Sequence, residues 1–504
     1  MIKPAFLFTD HGILQRDKAV RIFGECDGAT LNICYLSYSV SAAIENGRFI
    51  AELPAMPGGL CGELIFSSEA EELRLTDVVT GDVWLAGGQS NMEHPTFCTY
   101  YNEEDVAADA GIRVFTVPRR PFENADKIGW HFYTASHSDT PWQLFDSESA
   151  MTASAVATFF AKRIRREVDI PIGILNCNLG ASNAETWISE KALLENATAR
   201  FAYDQYEKEY GKIDTDAYHS RYLDFISKLR EWNEKNGSAL DIAKSKGVQH
   251  MLKNGFGIML EKGPYYYQRP CHYRRTMLDR VIPFAIKGVL WYQGESNTHD
   301  APPDKDHEEW VLEVMHTLIS DWRKNFCDPL LPFYIVQLSA YASGGSECRS
   351  WTPVKNAHEH LGEENGVYTV VSYDIGEELN IHPANKKPVG ERLACAALAN
   401  EYGIDIAWRS PKVKDVNRER DGIYVSFTDT TALHTDGDEV LGFFITDKEG
   451  KLTKANAEIV GDRVKLSDAS EAVEVGFCNI NYAPANLYNE HGLPPFPFSS
   501  PISD

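Results

Sequence analysis

Short apolar runs separated by turn residues make up the first 80 residues, a pattern typical of β-structure. In SAAIENGRFIAEL, Asn46-Gly47 lies between two such runs, which predicts a tight type I′ hairpin turn. No stretch of this region has the apolar period of an amphipathic helix. We therefore predict an N-terminal β domain over residues 1–80.

From residue 81 to about residue 405, compact apolar strands alternate with helical patterns. Strands are predicted within IRVFTV, IPIGILNCNLG, IKGVLWYQG, LPFYIVQL and GVYTVVSYD. A helix is predicted within MTASAVATFFAKRIRREVD, where one apolar stripe contains Val156, Phe159, Phe160 and Ile164. This alternation predicts an α/β fold, with a doubly wound parallel sheet that carries helices on both faces.

Two segments depart from the alternation. Residues from about 195 to 262 are charged and helix-forming, which predicts a helical insertion, with a mobile loop as the alternative. From about residue 406 strands return, and Gly461-Asp462 predicts another hairpin turn, so we predict a C-terminal β domain over residues 406–504. Neither terminal segment has enough alternating strands to bury two sheets alone, and we expect both to pack beside the core of residues 81–405.

Composition narrows the class of protein. The 504 residues are 43% hydrophobic and carry a net charge of −24, which argues against nucleic acid or an anionic membrane as partner. No apolar run approaches the ~18 residues of a membrane span, and the first twenty residues contain no secretory signal. The ten cysteines are scattered without a C-x-x-C pair, as in a reduced cytosolic protein. We expect a cytoplasmic protein with a neutral or small substrate and an oligomeric state that the sequence does not specify.

The stretch GDVWLAGGQSNME places Ser90 directly after an apolar strand and a Gly-Gly turn. Ser90 could cap a following helix. It could also be a nucleophile at the C-terminal end of a parallel strand, where open α/β sheets hold their active sites. A nucleophilic serine needs a base, an orienting acid and donors for an oxyanion.

Two further motifs follow predicted strands and supply such groups. WYQGESN, residues 291–297, contains Glu295, and NIHPANKKPVGERLA contains His382. Because the C-terminal ends of parallel strands share one sheet edge, Ser90, Glu295 and His382 can converge there. Pro383 keeps His382 out of a helix, on a loop before the helix predicted in PVGERLACAALANEY.

Other classes of hydrolase fit less well. An α/β-hydrolase would need glycine two residues after the serine, where this chain has Met92. The histidines of NTHDAPPDKDHEEW and NAHEHLGEE do not form an H-E-x-x-H motif, so we expect no metal site.

Together, GDVWLAGGQSNM, PIGILNCNLG, KGVLWYQGESN and IHPANKKPVGERLA resemble the sialate O-acetylesterase family of SGNH hydrolases. The resemblance runs along nearly the whole chain. It implies a flavodoxin-like SGNH core with accessory β domains. It also implies a serine esterase, without metal or other cofactor, that removes O-acetyl groups from sialic acid or other sugars through an acetyl-serine intermediate.

The resemblance assigns Ser90 as the nucleophile and His382 as the base. It implies an oxyanion site made of the Ser90 and Gly180 backbone N–H groups and the Gln293 side chain. Ala181 stands where many relatives carry a second glycine, and this departure weakens the match at the second motif.

The acid is open. Many relatives have aspartate two residues before the histidine, where this chain has Asn380, an amide that could hold the imidazole but not balance its charge. We favour Glu295 as the acid, since a carboxylate is the usual third member of a triad, and Asp374 is the alternative. Asn380 also supports a second hypothesis, a carbohydrate-binding protein with an inactive esterase core.

Several residues could contact an acetylated sugar or oligosaccharide. Tyr100 and Tyr101 follow the nucleophile, and Tyr266 returns the chain to the core, so their rings could stack on sugar faces. Arg119 could pair with the carboxylate of a sialic acid.

Overall fold

A computed structural model describes residues 1–118, 140–237, 263, 264, 266, 268–299, 301–467 and 469–503. All ten cysteines lie within these ranges and are free thiols. No helix among the described residues is both long and apolar enough to cross a membrane.

The N-terminal segment is all β, as predicted. Its strands are β1 Ile2–Pro4, β2 Ile13–Gln15, β3 Val20–Cys26, β4 Thr30–Tyr35, β5 Tyr38–Ala43, β6 Arg48–Leu53, β7 Cys61–Ser67 and β8 Glu72–Gly88. Asn46 and Gly47 both have positive φ, 53° and 76°, as a type I′ turn requires. However, the strands beside this turn separate, because β5 pairs with β4 whereas β6 pairs with β3.

Strand β8 joins the N-terminal segment to the α/β core. Its first half pairs antiparallel with β7 and, near Thr80, parallel with β2. Its second half is the central strand of the core, so it runs without a break through the predicted 80/81 boundary. Leu31 and Ile33 of β4 belong to the same hydrophobic cluster as Val83 and Leu85 of β8.

The core sheet contains six more strands. They are β9 Asp109–Thr116, β10 Gln143–Phe145, β11 Ile172–Asn178, β12 Gly288–Tyr292, β13 Phe333–Val336 and β14 Val367–Val370. The spatial order is β10-β9-β11-β8-β12-β13-β14, parallel throughout except for β10 at the edge. The strands that follow β8 in the chain first lie on its β11 side and then, from β12 onwards, on its other side, which makes the end of β8 a topological switch point.

Helices cover this sheet. The α-helices are Ser90–Glu93, Glu103–Val106, Ser147–Thr152, Ala155–Glu167, Glu190–Glu195, Phe201–Tyr210, Thr215–Asn236, Asp279–Val281, His307–Asn325, Thr352–Leu361 and Lys387–Glu401. Short 3-10 turns are Thr96–Cys98, Ala184–Trp187, Glu295–Asn297 and Tyr373–Ile375, and Arg274–Leu278 is a π-helix.

The helices Ala155–Glu167 and Lys387–Glu401 pack closely against each other. The predicted stripe of the first helix is buried. A Cβ at Gly390 would lie 2.6 Å from both the Phe159 Cβ and the Val156 carbonyl oxygen, so only glycine permits this approach. The second helix follows residues 376–386, the loop that contains His382 and is called the histidine loop below. The packing of the two helices therefore fixes where this loop leaves the core.

The predicted insertion is helical in its described part. Phe201–Tyr210 and Thr215–Asn236 form two helices, and the Asp214 side chain caps the second by accepting hydrogen bonds from two backbone N–H groups. Tyr218, Tyr222 and Leu229 of the second helix are buried. The remainder of the predicted insertion, residues 238–262, lies outside the described residues.

The C-terminal segment is also all β, as predicted. Its strands are β15 Val413–Glu419, β16 Gly422–Phe427, β17 Leu433–Thr435, β18 Phe443–Asp447, β19 Leu452–Lys454, β20 Asn456–Val460, β21 Arg463–Ser467, β22 Ala472–Phe477, β23 Leu487–Asn489 and β24 Phe498–Pro501. Gly461-Asp462 forms the predicted turn between β20 and β21.

The expectation that this segment cannot bury two sheets alone is wrong. The sheets β15-β16-β21-β20 and β19-β18-β22-β24 share a hydrophobic cluster of their own. The Phe427 ring of one sheet lies 6.2 Å from the Phe498 ring of the other. Among the described residues, the core adds Ala340, Val371 and Tyr373 to this cluster, and all its other members lie in the C-terminal segment.

The continuous strand β8 generates a prediction about truncation. Fragment 81–405 should be far less soluble than fragment 1–405, because the cut at residue 81 halves β8 and exposes the cluster that it shares with β4. Soluble yield and thermal unfolding by circular dichroism measure the difference. A fragment 81–504 that unfolds at the temperature of the full chain would contradict this prediction.

Candidate active site

Glycine is required at residue 88, two residues before Ser90, by a close backbone contact. Gly88 has φ of 130°, and a Cβ there would lie 2.1 Å from the Tyr292 carbonyl oxygen. Gly88 pairs with Asn178 on one side and with Tyr292 on the other, where β11 and β12 also end. The chain therefore turns at the shared sheet edge, and Ser90 begins a short helix directly above it.

Ser90 and His382 meet at this edge. The imidazole Nε2 lies 2.8 Å from the Ser90 hydroxyl oxygen, a hydrogen-bonded contact across 292 residues of chain. The Asn380 side chain holds the backbone of His382. Its Oδ1 accepts from the His382 N–H at 3.0 Å, and its Nδ2 donates to the His382 carbonyl at 2.9 Å. The expected hold of Asn380 on the imidazole itself is not formed.

Neither predicted acid forms a hydrogen bond with His382. The Glu295 Oε1 accepts from the Asn91 Nδ2 at 2.5 Å, and the other Glu295 oxygen has no hydrogen-bond partner within the described part of the chain. Asp374 binds both terminal nitrogens of Arg392, each at 2.7 Å. The predicted contact between Glu295 and the imidazole is thus absent, since the hydrogen-bonded Glu295 oxygen is directed at the Asn91 amide and not at His382.

Asn91 connects three groups that the sequence did not bring together. Its Nδ2 donates to Glu295 and also to the Ile381 carbonyl at 3.0 Å, while its Oδ1 accepts from the Lys386 Nζ at 2.5 Å. Glu295 and Lys386 are both buried. The available signals were the position of Asn91 directly after Ser90 and the lysine pair in HPANKKP, which has the composition of a solvated surface.

Burial dominates the electrostatics of these groups. It lowers the pKa of His382 to about 4, and the nearby charges of His94 and Lys386 act in the same direction. The His94 ring stacks on the His382 ring, with centroids 5.7 Å apart. Burial also raises the pKa of Glu295, against the Asn91 hydrogen bond and the Lys386 charge. His382 is therefore a neutral base over a wider pH range than an ordinary histidine.

Gly180 and Gln293, the two oxyanion donors predicted in addition to Ser90, both donate to acceptors within the protein. The Gly180 N–H donates to the Glu93 Oε2 at 2.5 Å, and Glu93 was not predicted as a site residue. Its only signal was its position three residues after Ser90, one turn along the short helix. Ala181, in place of a second glycine, still adopts a left-handed φ of 59°.

Gln293 belongs to a buried polar network. Its Nε2 lies 2.6 Å from the Asn297 Oδ1 and 3.2 Å from the Ser182 carbonyl. The Asn297 Oδ1 also accepts from the Ala184 N–H, and its Nδ2 donates to Glu185. The network joins the loop after β11 to the loop after β12, so it fixes the two loops that flank Ser90.

The predicted sugar contacts lie at different depths. Tyr100 and Tyr101 are 70% and 44% exposed, and the Tyr100 N–H donates to the carbonyl of Ala384 on the histidine loop. The Tyr266 hydroxyl donates to Gln268, which in turn donates to the carbonyl of Ala181. Arg119 lies outside the described residues.

The histidine-rich stretches have other partners. The His307 Nε2 lies 2.7 Å from the Asn297 carbonyl, and His360 pairs with Glu308 at 2.8 Å. His358 is buried in the helix Thr352–Leu361. Among the residues that the structure describes, no group of three or more His, Cys, Asp or Glu side chains could hold a metal ion.

Comparison with known proteins shows related carbohydrate esterases. Residues 250–399 match the family model of carbohydrate esterase, sialic acid-specific acetylesterase. The mouse sialate O-acetylesterase is 26% identical over 396 residues, covering 72% of this chain and 65% of the relative. The human sialate O-acetylesterase is 23% identical over 383 residues, covering 69% and 60%. The chain therefore spans about two thirds or less of the length of these relatives.

A solved structure extends the similarity to both terminal segments. The crystal structure of a carbohydrate acetylesterase from Xanthomonas citri superposes with a TM-score of 0.75 at 27% identity, covering 99% of each chain. The mixed α/β core and the extra β segments thus occur together in that protein. The resemblance of this chain to the sialate O-acetylesterase family, predicted from its motifs, is confirmed.

Proposed function

We propose that this protein is a serine esterase that removes O-acetyl groups from carbohydrate through an acetyl-serine intermediate. The observation that carries the proposal is the 2.8 Å contact between the His382 Nε2 and the Ser90 hydroxyl at the end of the central strand. The similarity to carbohydrate acetylesterases supplies the acetyl ester as the bond cleaved and a sugar as the alcohol released.

We propose an SGNH, flavodoxin-like core for this enzyme. The strands β11, β8, β12, β13 and β14 lie side by side, and numbering them along the chain gives the order 2-1-3-4-5 of flavodoxin-like sheets. Strand β9 extends the sheet beyond β11. The nucleophile at the end of the first strand of this order supports the assignment.

The chemistry follows from the Ser90–His382 pair. His382 accepts the hydroxyl proton through Nε2 while the Ser90 oxygen attacks the acetyl carbonyl. When the tetrahedral intermediate collapses, the imidazolium returns that proton to the departing sugar oxygen, and the acetyl group stays on Ser90. His382 then takes a proton from water, the resulting hydroxide attacks the acetyl carbonyl, and acetate leaves as Ser90 regains its proton.

The pair acts as a dyad in this proposal. No carboxylate among the described residues binds the imidazole, and the Asn380 side chain holds the histidine instead through two hydrogen bonds to the His382 backbone. The Ser90 N–H is the first oxyanion donor. The Gly180 N–H becomes the second when the Glu93 carboxylate withdraws, since one N–H cannot serve both oxygens fully.

The alternative, a carbohydrate-binding protein with an inactive core, is favoured by one observation. Glu93 accepts from the Gly180 N–H, and Gln293 donates within its own network, so both of these predicted donors are engaged. If Glu93 stays on Gly180 with a sugar ester bound, the site binds without turnover.

Substitution of the nucleophile separates the two functions. Ser90→Ala should lower kcat/KM for nitrophenyl acetate and for O-acetylated sugars by a factor of about 10³ or more, because the variant cannot form the acetyl-enzyme. Acetate release measures the loss. Ser296→Ala is the matched control: it changes another serine at the same sheet edge, and the Ser296 hydroxyl forms no hydrogen bond within the described residues.

Two results would overturn the esterase assignment. One is a Ser90→Ala variant that retains most of the turnover. The other is a wild-type protein that binds O-acetylated sugars in calorimetry but releases no acetate from any member of a panel of acetylated sialic acid, xylose, glucose and mannose.

The depressed pKa of His382 generates a prediction for the pH profile. The base must be neutral, so activity is lost as pH falls through its pKa, which lies at about 4 instead of the ordinary 6.5. We expect kcat/KM to change little between about pH 7 and about pH 5.5, because kcat/KM reports the ionisation of the free enzyme. An acid limb centred near the ordinary histidine value would contradict the burial of His382.

The exposed tyrosines generate a prediction for substrate binding. Tyr100→Ala should raise KM for acetylated oligosaccharides by several-fold, roughly the effect of losing one stacking contact, while kcat changes little. Nitrophenyl acetate, which has no sugar ring, is the control substrate and should be hydrolysed as by the wild type. Equal losses on both substrates would show that Tyr100 acts on the histidine loop and not on the sugar.

A further inference from the structure

We propose that Lys386 is a positioning residue of this esterase, which acts through Asn91 on both members of the Ser90–His382 pair. The inference rests on the proposed function and adds to it a residue that does not touch the reacting atoms. It is carried by one chain of contacts, from the Lys386 ammonium through the Asn91 amide to Glu295 and to the backbone beside His382.

The contacts of Asn91 account for its whole amide group. The oxygen accepts from Lys386, and the nitrogen donates one proton to Glu295 and the other to the Ile381 carbonyl. Asn91 follows Ser90 in the chain, and Ile381 precedes His382. The Asn91 side chain therefore connects the helix that Ser90 begins to the histidine loop. Lys386 fixes the orientation of the Asn91 amide.

The burial of the Lys386 ammonium costs free energy of folding unless other groups of the protein compensate for it. The side chain is fully buried, and its Nζ also lies 5.5 Å from the centroid of the Tyr292 ring. A buried ammonium destabilises a fold unless it is paired and hydrogen-bonded. The partner charge is Glu295, which lies on the other side of the Asn91 amide. The Asn91 amide therefore lies between a buried lysine and a buried carboxyl group and is hydrogen-bonded to both.

Without Lys386, the orientation of the Asn91 amide is no longer fixed. The Asn91 oxygen would lack its donor, and the amide could rotate so that it no longer holds the Ile381 carbonyl. Glu295 would keep its burial but lose the opposite charge. Because the Ser90–His382 contact spans two separate loops, a displacement of about 1 Å in either loop is enough to lower the rate by about 100-fold.

Lys386 also affects the basicity of His382. The groups that act on the imidazole are His94, stacked on its face, and Lys386, whose charge lowers the pKa of His382. Glu377 lies on the same loop and binds the Asn380 side chain and the Ala384 N–H. Burial lowers the pKa of Lys386 itself to about 7, against the charges of Glu295 and Glu377, so Lys386 is protonated where the acid limb lies. Removal of its charge should raise the pKa of His382.

The test compares Lys386→Met with Lys387→Met in the full-length protein. Lys387 is the adjacent lysine, and its half-buried side chain pairs with the buried Asp105 at 2.8 Å, so its substitution breaks a separate ion pair. We expect Lys386→Met to lower kcat for nitrophenyl acetate by about 100-fold with little change in KM. The acid limb of its kcat/KM profile should move to higher pH. Lys387→Met should lower the melting temperature comparably but leave the pH profile unchanged.

A second variant separates the hydrogen bond from the charge. Lys386→Gln can still donate to the Asn91 oxygen, so it should retain more of kcat than Lys386→Met while showing the same shift of the acid limb. A double-mutant cycle adds Asn91→Ala: because the two residues act as one unit, Lys386→Met with Asn91→Ala should cost no more than the worse single variant.

Specific outcomes overturn the inference. They are a Lys386→Met variant with the kcat and pH profile of the wild type, a loss of activity that follows melting temperature equally in both lysine variants, or additive effects in the double-mutant cycle. If Lys386→Met does not fold, wild-type activity in Asn91→Ala has the same meaning. Failure of the proposed function is distinguishable, since active Ser90→Ala overturns the esterase, whereas inactive Ser90→Ala with normal Lys386→Met overturns only the role of Lys386.

Discussion

The close approach of Gly88 to Tyr292 is the constraint on which the site depends. A side chain at Gly88 would overlap a backbone carbonyl oxygen, so β8 can end between β11 and β12 only with glycine at this position. The same backbone reversal places Ser90 above the sheet edge, and the Gln89 N–H bonds to the Tyr292 carbonyl at 3.0 Å. The position of Ser90 is thus fixed by backbone contacts, to which the side chains of the site add further hydrogen bonds.

Buried polar groups below Ser90 hold the surrounding loops in register. The Gln293–Asn297 network connects the loops after β11 and β12. Asn91 connects the short helix that Ser90 begins to the loop that carries His382. Such groups are costly when unsatisfied, so each bond in the network excludes alternative positions of the loops. The Ser90–His382 contact is the product of this rigidity, since the two residues come from loops 292 residues apart.

The sequence predicts those parts of the molecule that depend on local patterns. The three β and α/β regions, the turns at Asn46-Gly47 and Gly461-Asp462, and the convergence of Ser90 with His382 follow from periodicity and from the placement of motifs after strands. The direction of a buried side chain does not follow from such patterns. Glu295 lies at the predicted sheet edge, but its carboxylate accepts a hydrogen bond from Asn91 and not from His382. The hydrogen bond between Glu93 and Gly180 likewise depends on one turn of a four-residue helix. Lys386 was missed because two adjacent lysines have the composition of a surface.

The attachment of the C-terminal sheets has a consequence for cooperativity. Tyr373 belongs to the C-terminal hydrophobic cluster, where its ring contacts Phe477 at 5.8 Å, and it stands nine residues before His382 in the segment that leaves β14. The buried Lys355 donates to the Ile480 carbonyl from the core side of the same junction. Partial unfolding of the C-terminal sheets would therefore remove the packing contacts of the segment that carries His382 while leaving the parallel sheet intact. The accessory sheets thus hold the segment that carries His382 in place, and moderate heating should displace His382 before the parallel sheet unfolds.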